Sequence, residues 1–168
     1  MKLAKLSPEG FFVTSIPHTG TFFVRDSLLA GEESTAAHFW NQHLAECLDM
    51  MVTHRTIVPL RHPILVARSW KSRHRDLSAL PALWAQMLLQ IAPLEPAFLP
   101  LDSPSRDEWL GALNVRFGTA FETDWAIFRS ADKVARVPLT DTETDHVVEM
   151  MVGMASFFNR WYESWPVE

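Results

Sequence analysis

The chain has 168 residues, 48% hydrophobic and 21% charged, with 15 Lys+Arg against 20 Asp+Glu for a formal charge of −5. That balance supplies no global basic field for nucleic acid or anionic lipid, so any anion site must be local. Its single cysteine, Cys47, excludes an internal disulfide, and no apolar stretch is long enough to span a bilayer. The length fits a single domain over 1–168. The first twenty residues lack the basic start and apolar run of a signal peptide, so a cytoplasmic location is expected.

In chain order, Phe11, Phe12, Val13 and Ile16 read as a buried strand closed by Pro17. After the turn His18-Thr19-Gly20-Thr21, the period of Phe22 to Ala30 predicts a helix, with Gly31 where a C-cap wants positive φ. Ala36 to Trp40 fits a second short strand. Asn41 can cap a helix running to about Val52, with Leu44, Leu48 and Met51 on one face. Thr56 to Leu60 is a strand stopped by Arg61-His62-Pro63. Helices follow over Ile64 to Arg73 and Leu80 to Ala92, then a short strand over Ala97 to Leu101 that Pro100 assigns to a sheet edge. A helix from about Arg106 to Val115 ends before Gly118, the stretch Phe121 to Val137 is ambiguous, and a last helix opens at Thr140 or Thr142. That helix carries Val147, Val148, Met151, Met154, Phe157, Phe158 and Trp161. Strands alternating with helices predict an α/β domain with a mainly parallel sheet flanked by helices on both faces.

In such a sheet ligands gather beyond the carboxyl ends of strands, where the first strand here meets Pro17-His18-Thr19-Gly20-Thr21. Gly20 permits close backbone approach, the first helical amides point outward, and Thr19 and Thr21 add hydroxyls, which together suit an anion. The same residues also fit a plain strand–turn–helix corner with Thr19 as N-cap. The loop is not a Walker A motif, since Gly-x4-Gly-Lys-Ser/Thr is absent. A second feature is Arg61 directly after a strand, with Ser69 eight positions on. Arginine brings a fixed charge with several donors and serine a neutral hydrogen bond, so the pair could face a second phosphate.

Taken together, the two segments resemble the sulfotransferase family, enzymes that use 3′-phosphoadenosine 5′-phosphosulfate (PAPS). The family's first signature, a strand, then Pro-Lys/Arg-Ser-Gly-Thr-Thr, then a helix, is similar to Ile16-Pro17-His18-Thr19-Gly20-Thr21-Phe22. Its second, an arginine after a strand, a proline two residues on and a serine eight on, is matched by Arg61, Pro63 and Ser69. The resemblance implies a P-loop NTPase-like sulfotransferase architecture. It implies that His18, Thr19, Gly20 and Thr21 hold the 5′-phosphosulfate, that Arg61 and Ser69 hold the 3′-phosphate, and that Phe22 and Phe23 border the cofactor. Phe23 falls where the family often has tryptophan against the adenine. His18 stands where the family has a loop lysine or arginine, and no counterpart of the family's C-terminal Arg-Lys-Gly element is present. Arg68, Lys71, Arg73 and Arg75 are basic residues that could substitute for it.

Sulfuryl transfer to an alcohol needs a base for the hydroxyl proton. Parallel strands need a crossover of a dozen or more residues between them, which leaves His54 too close to the strand Thr56 to Leu60 and favours His38. His43 and Glu46 are the fallback candidates. Other chemistries fit less well. His43 and Cys47 are four apart but lack a second ligand pair, so no metal is expected, and Cys47 lies on a helical pattern rather than in a phosphatase loop. A kinase-like reading lacks the lysine, and only Asp102 approaches an acidic metal ligand. The sequence therefore predicts sulfuryl transfer from PAPS, releasing adenosine 3′,5′-bisphosphate, to a hydroxyl or amine of an unknown small-molecule or carbohydrate acceptor. The alternative is a catalytically inactive phosphate- or nucleotide-binding accessory protein of the same fold. Neither nucleic acid nor membrane is expected as a partner.

Overall fold

The computed structural model describes residues 6–39, 43–73, 76–125 and 137–157, with side chains to 153. Four parallel strands, β1 (Phe11–Ser15), β2 (Ser34–His38), β3 (Arg55–Leu60) and β4 (Ala97–Pro100), form a sheet in the order β2-β1-β3-β4. Alternation along the strands sends side chains to opposite faces. Phe12, Ala37, Val58 and Leu60 enter one core cluster, and Phe11, Val13, Ala36 and Ile57 enter the other. Both faces are therefore covered, as expected of a parallel sheet.

On the first face lie α2 (Leu44–Thr53), α3 (Pro63–Lys71), α4 (Leu80–Ile91) and α6 (Asp141–Phe157). The second face is covered by α1 (Thr21–Phe23), the π-helical turn Val24–Leu28 that continues it, and α5 (Arg106–Phe117). Helix α6 packs against α3 and α4. Its start is a capping box: Thr140 Oγ1 accepts from the Glu143 amide at 3.3 Å and Glu143 Oε2 accepts from the Thr140 amide at 2.7 Å. Lys71 of α3 donates to the same carboxylate at 2.5 Å and holds it below the usual carboxylate range.

Several expected elements shift. Strand β2 starts at Ser34 and ends at His38 rather than spanning Ala36 to Trp40, because the ladder with Phe11–Ser15 recruits the polar Ser34 and Thr35. The helix expected over Phe22 to Ala30 is instead one α turn followed by a π turn closed by Leu29 N–H to Val24 C=O at 3.0 Å. The wider turn buries Val24, Leu28 and Leu29 together. Gly31 takes the expected positive φ of 93°, and Gly118, which ends α5 as expected, has φ 64°. Within the described sheet β4 is at an edge, so Pro100 leaves no interior ladder bond unmade. The Asn41 cap, 126–136, and the aromatics Phe158 and Trp161 lie outside the described residues. No helix among the described residues is long and apolar enough to cross a membrane.

Strand order fixes where a ligand would go. The chain leaves β1 toward β2 on one side and leaves β3 toward β4 on the other, and the helices that follow lie on opposite faces. That makes the carboxyl ends of β1 and β3 the topological switch point of the sheet, the crevice where open α/β folds receive ligands.

Candidate functional site

The loop after β1 is held by its own polar groups. Thr19, fully buried, donates its hydroxyl to the Ile16 carbonyl at 2.9 Å. His18 and Gly20 both adopt left-handed backbone, with φ 73° and 95°. Glycine adopts it freely, whereas a histidine there stores strain, a pattern concentrated at functional sites. Thr21 opens the helix. Its Oγ1 is buried with no hydrogen-bond partner among the described residues.

Two of the residues singled out by sequence, Ser69 and Arg61, converge on a third, His18. The ring nitrogen Nδ1 lies 3.0 Å from Ser69 Oγ on α3, and the ring sits beside Trp70 with centroids 5.5 Å apart. The backbone carbonyl of His18 accepts from Arg61 Nη1 at 3.2 Å. The two segments that carry the resemblance thus meet at one residue, on adjacent strands of the switch point.

Arg61 is only 2% exposed, and its Nε donates to Asp102 Oδ2 at 3.3 Å. The other oxygen of Asp102 accepts from the His62 amide at 3.0 Å, which ties the end of β3 to the turn that follows β4. Burial pushes the Asp102 carboxyl up while Arg61 pulls it back, and burial pulls the Arg61 guanidinium down from its ordinary value. Arginine stays charged even so, and the pair is a buried ion pair. Asp102, considered from sequence only as a would-be metal ligand, is here the counter-ion of Arg61. The signal available was a carboxylate directly after an apolar strand, at the same sheet end as Arg61.

His62 was also missed. Its Nδ1 accepts from the Ile64 amide at 3.2 Å and caps α3, whose first residue is Pro63. Burial, with Arg68 nearby, pushes its pKa down from 6.5 to about 4. The unfolded chain takes up a proton that the fold refuses, so His62 removes stability as pH falls below about 6.5, down to about 4. Urea unfolding at about pH 7 and about pH 5 is expected to show a decline of roughly 1–2 kcal/mol from this residue. His62→Asn, which keeps an acceptor at the cap, should flatten that part of the difference; an unchanged difference would refute the assignment.

The other candidates separate. His38 ends β2 at the same carboxyl edge, opposite Ser15 of β1, and Phe22 meets it edge-on at 5.2 Å. Phe22 is 46% exposed and lies under the Arg25 guanidinium at 4.8 Å, whereas Phe23, the expected adenine neighbour, is half-buried against the second core cluster. His54 is at the amino end of β3, within 3.3 Å of the Leu6 carbonyl, and so at the far edge of the sheet from Arg61. His43 precedes α2 and pairs with Glu46 at 3.7 Å. Of the basic residues after Pro63, Lys71 pairs with Glu143, Arg68 is half-buried, Arg73 is exposed and Arg75 lies outside the described residues. Cys47 is buried, with Thr14 Oγ1 donating to its sulfur at 3.8 Å and burial pushing its thiol up.

The chain as a whole matches no protein family, no curated protein and no solved structure among those compared.

Proposed function

We propose that the crevice beyond β1 and β3 binds a PAPS-type nucleotide and that the chain is a sulfotransferase-like enzyme. The observation that carries this reading is the meeting of His18, Ser69 and Arg61, from the two resembling segments, at the switch point. The donor set fits the group. Ser69 and the first helical amides are donors for phosphate or sulfate oxygens, and the desolvated Thr21 hydroxyl would gain an acceptor from one. When bound, the cofactor would supply an activated sulfuryl group. His18 and Ser69 would hold its anionic end, and Arg61 would fix the loop through the His18 carbonyl. His38 stands at the neighbouring strand end to take the proton of an acceptor hydroxyl or amine.

Calorimetric titration with adenosine 3′,5′-bisphosphate, ATP and AMP tests the reading. Selective binding of the bisphosphate is expected, weakened about fivefold, or ~1 kcal/mol, in Ser69→Ala. Ser69 is half-buried on α3 and alanine keeps the helix, so that variant leaves the fold intact. Equal affinity for all three nucleotides, or a Ser69→Ala protein that binds as the wild type does, would overturn the assignment.

One observation favours the second reading, an accessory protein that binds phosphate without catalysis. Arg61 already faces Asp102, and the Thr19 hydroxyl is committed to the loop carbonyl, so the site offers less charge than a transfer reaction uses to stabilise its leaving group. Bisphosphate binding with no sulfuryl transfer to any hydroxyl or amine acceptor would establish that reading.

A further inference from the structure

We propose that the site takes its anion together with a proton held on His18, so that protonation of this one imidazole loads it. The inference rests on the anion-site reading above and adds a control to it.

The argument starts from the groups around the His18 ring and loop. Helix α3 contributes Ser69 and Trp70, the end of β3 contributes Arg61 through the His18 carbonyl, and Asp102 stands behind Arg61 after β4. His62 is turned to the cap of α3, and burial beside Arg68 keeps it neutral down to about pH 4. On the β2 side lie Phe22 and His38, with Arg25 paired to Asp26 at 2.5 Å. Arg61 and Asp102 offset one another. Among the described residues Arg68 adds a cation on α3 beside His62, and with His18 neutral a polyanion entering here meets more hydrogen-bond donors than positive charge to offset its desolvation.

Hydrogen-bond directions point the same way. A neutral imidazole carries one N–H. If Nδ1 accepts, the Ser69 hydroxyl hydrogen points at the ring and is lost to a ligand. If Nδ1 of a neutral ring donates, that hydrogen is released but the ring brings no charge. Only the imidazolium combines the two: Nδ1–H donates to Ser69 Oγ at 3.0 Å with the Ser69 hydrogen turned outward, and the ring adds a full positive charge.

The test is calorimetric titration of the full chain with adenosine 3′,5′-bisphosphate from about pH 5.5 to about 8.5, spanning the imidazole range. Each pH is run in two buffers of different ionisation enthalpy, so that proton uptake is read directly. Wild-type affinity is expected to fall by up to about tenfold per pH unit as pH rises through the imidazole range, with net proton uptake on binding. The ligand's own phosphates titrate near pH 6, so the contribution of His18 is the wild type minus His18→Asn, a residue that tolerates the same backbone. His18→Lys is expected to bind tightly with only the ligand's pH dependence, and His38→Gln to keep wild-type uptake. Equal uptake in wild type and His18→Asn, or uptake that disappears in His38→Gln, would overturn proton loading while leaving the anion site standing. No binding by wild type or His18→Lys at any pH would overturn the anion site itself and the control with it.

Discussion

Arg61→Ala is expected to lower the unfolding free energy by ~3–5 kcal/mol, because it takes the Arg61 charge from an Asp102 carboxylate that is largely removed from water. Asp102 also holds the His62 amide, so the loss falls where β3 and β4 hand over to their loops. Urea unfolding reads the size of the effect, and its pH dependence reads the cause. Burial pushes the Asp102 carboxyl up, and in the variant Arg61 no longer pulls it back, so its folded pKa stands further above its unfolded value. A carboxyl shifted that way contributes stability at low pH and loses it as pH rises through the unfolded value toward the folded one. The gap between variant and wild type should therefore shrink on moving from about pH 7 to about pH 5. Arg61→Met combined with Asp102→Asn removes both charges and keeps the acceptor for His62, and is expected to recover ~1–2 kcal/mol. A deficit below about 1 kcal/mol that does not change with pH would mean that the pair is not buried as described.

The second large effect is in the core. Trp84 of α4 is fully buried among the residues of the first cluster, and Trp84→Ala is expected to cost ~3–5 kcal/mol through lost burial and the cavity left behind. Trp84→Phe is the informative companion. The indole Nε1 is buried with no hydrogen-bond partner among the described residues, so phenylalanine gives up no hydrogen bond and should cost no more than ~1.5 kcal/mol. Equal losses in the two variants, measured by thermal and urea unfolding, would show that the indole N–H is satisfied in solution.

The difference between these two sites explains what could be read in the sequence. Apolar runs bounded by proline and glycine announce strands and helices, because Phe11 to Val13 and Thr56 to Leu60 need water-free surfaces on both sides. Gly31 and Gly118 mark helix ends for a steric reason that operates locally. The π turn at Val24–Leu28 escapes because the nine residues from Phe22 to Ala30 do not separate a period of 3.6 from a wider one. At the site, Arg61 and Ser69 were legible as types suited to anions and His18 through the resemblance, and the pattern placed His18 and Arg61 just after strands and Ser69 on the helix that follows. Their mutual contacts were not, since His18 to Ser69 spans 51 positions and Arg61 to Asp102 spans 41. The roles of Asp102 and His62 depend on which strand ends become neighbours, a property of sheet order. His38 and His54 illustrate the same point: the crossover argument separated them, and His38 lies at the carboxyl end of β2 while His54 lies at the amino end of β3.

Cys47 gives the fold a reporter of its own motion. The chain has one thiol, fully buried between Thr14 of β1 and the His38 carbonyl, and burial keeps it in the unreactive protonated form. A thiol reagent can meet it only when α2 lifts from the sheet, so the rate of labelling times that opening without any engineered probe. Because the His38 carbonyl is one of its two partners, the same clock runs at the edge of the candidate site. A ligand that braces the end of β2 would slow it, and the slowing would be visible by mass alone.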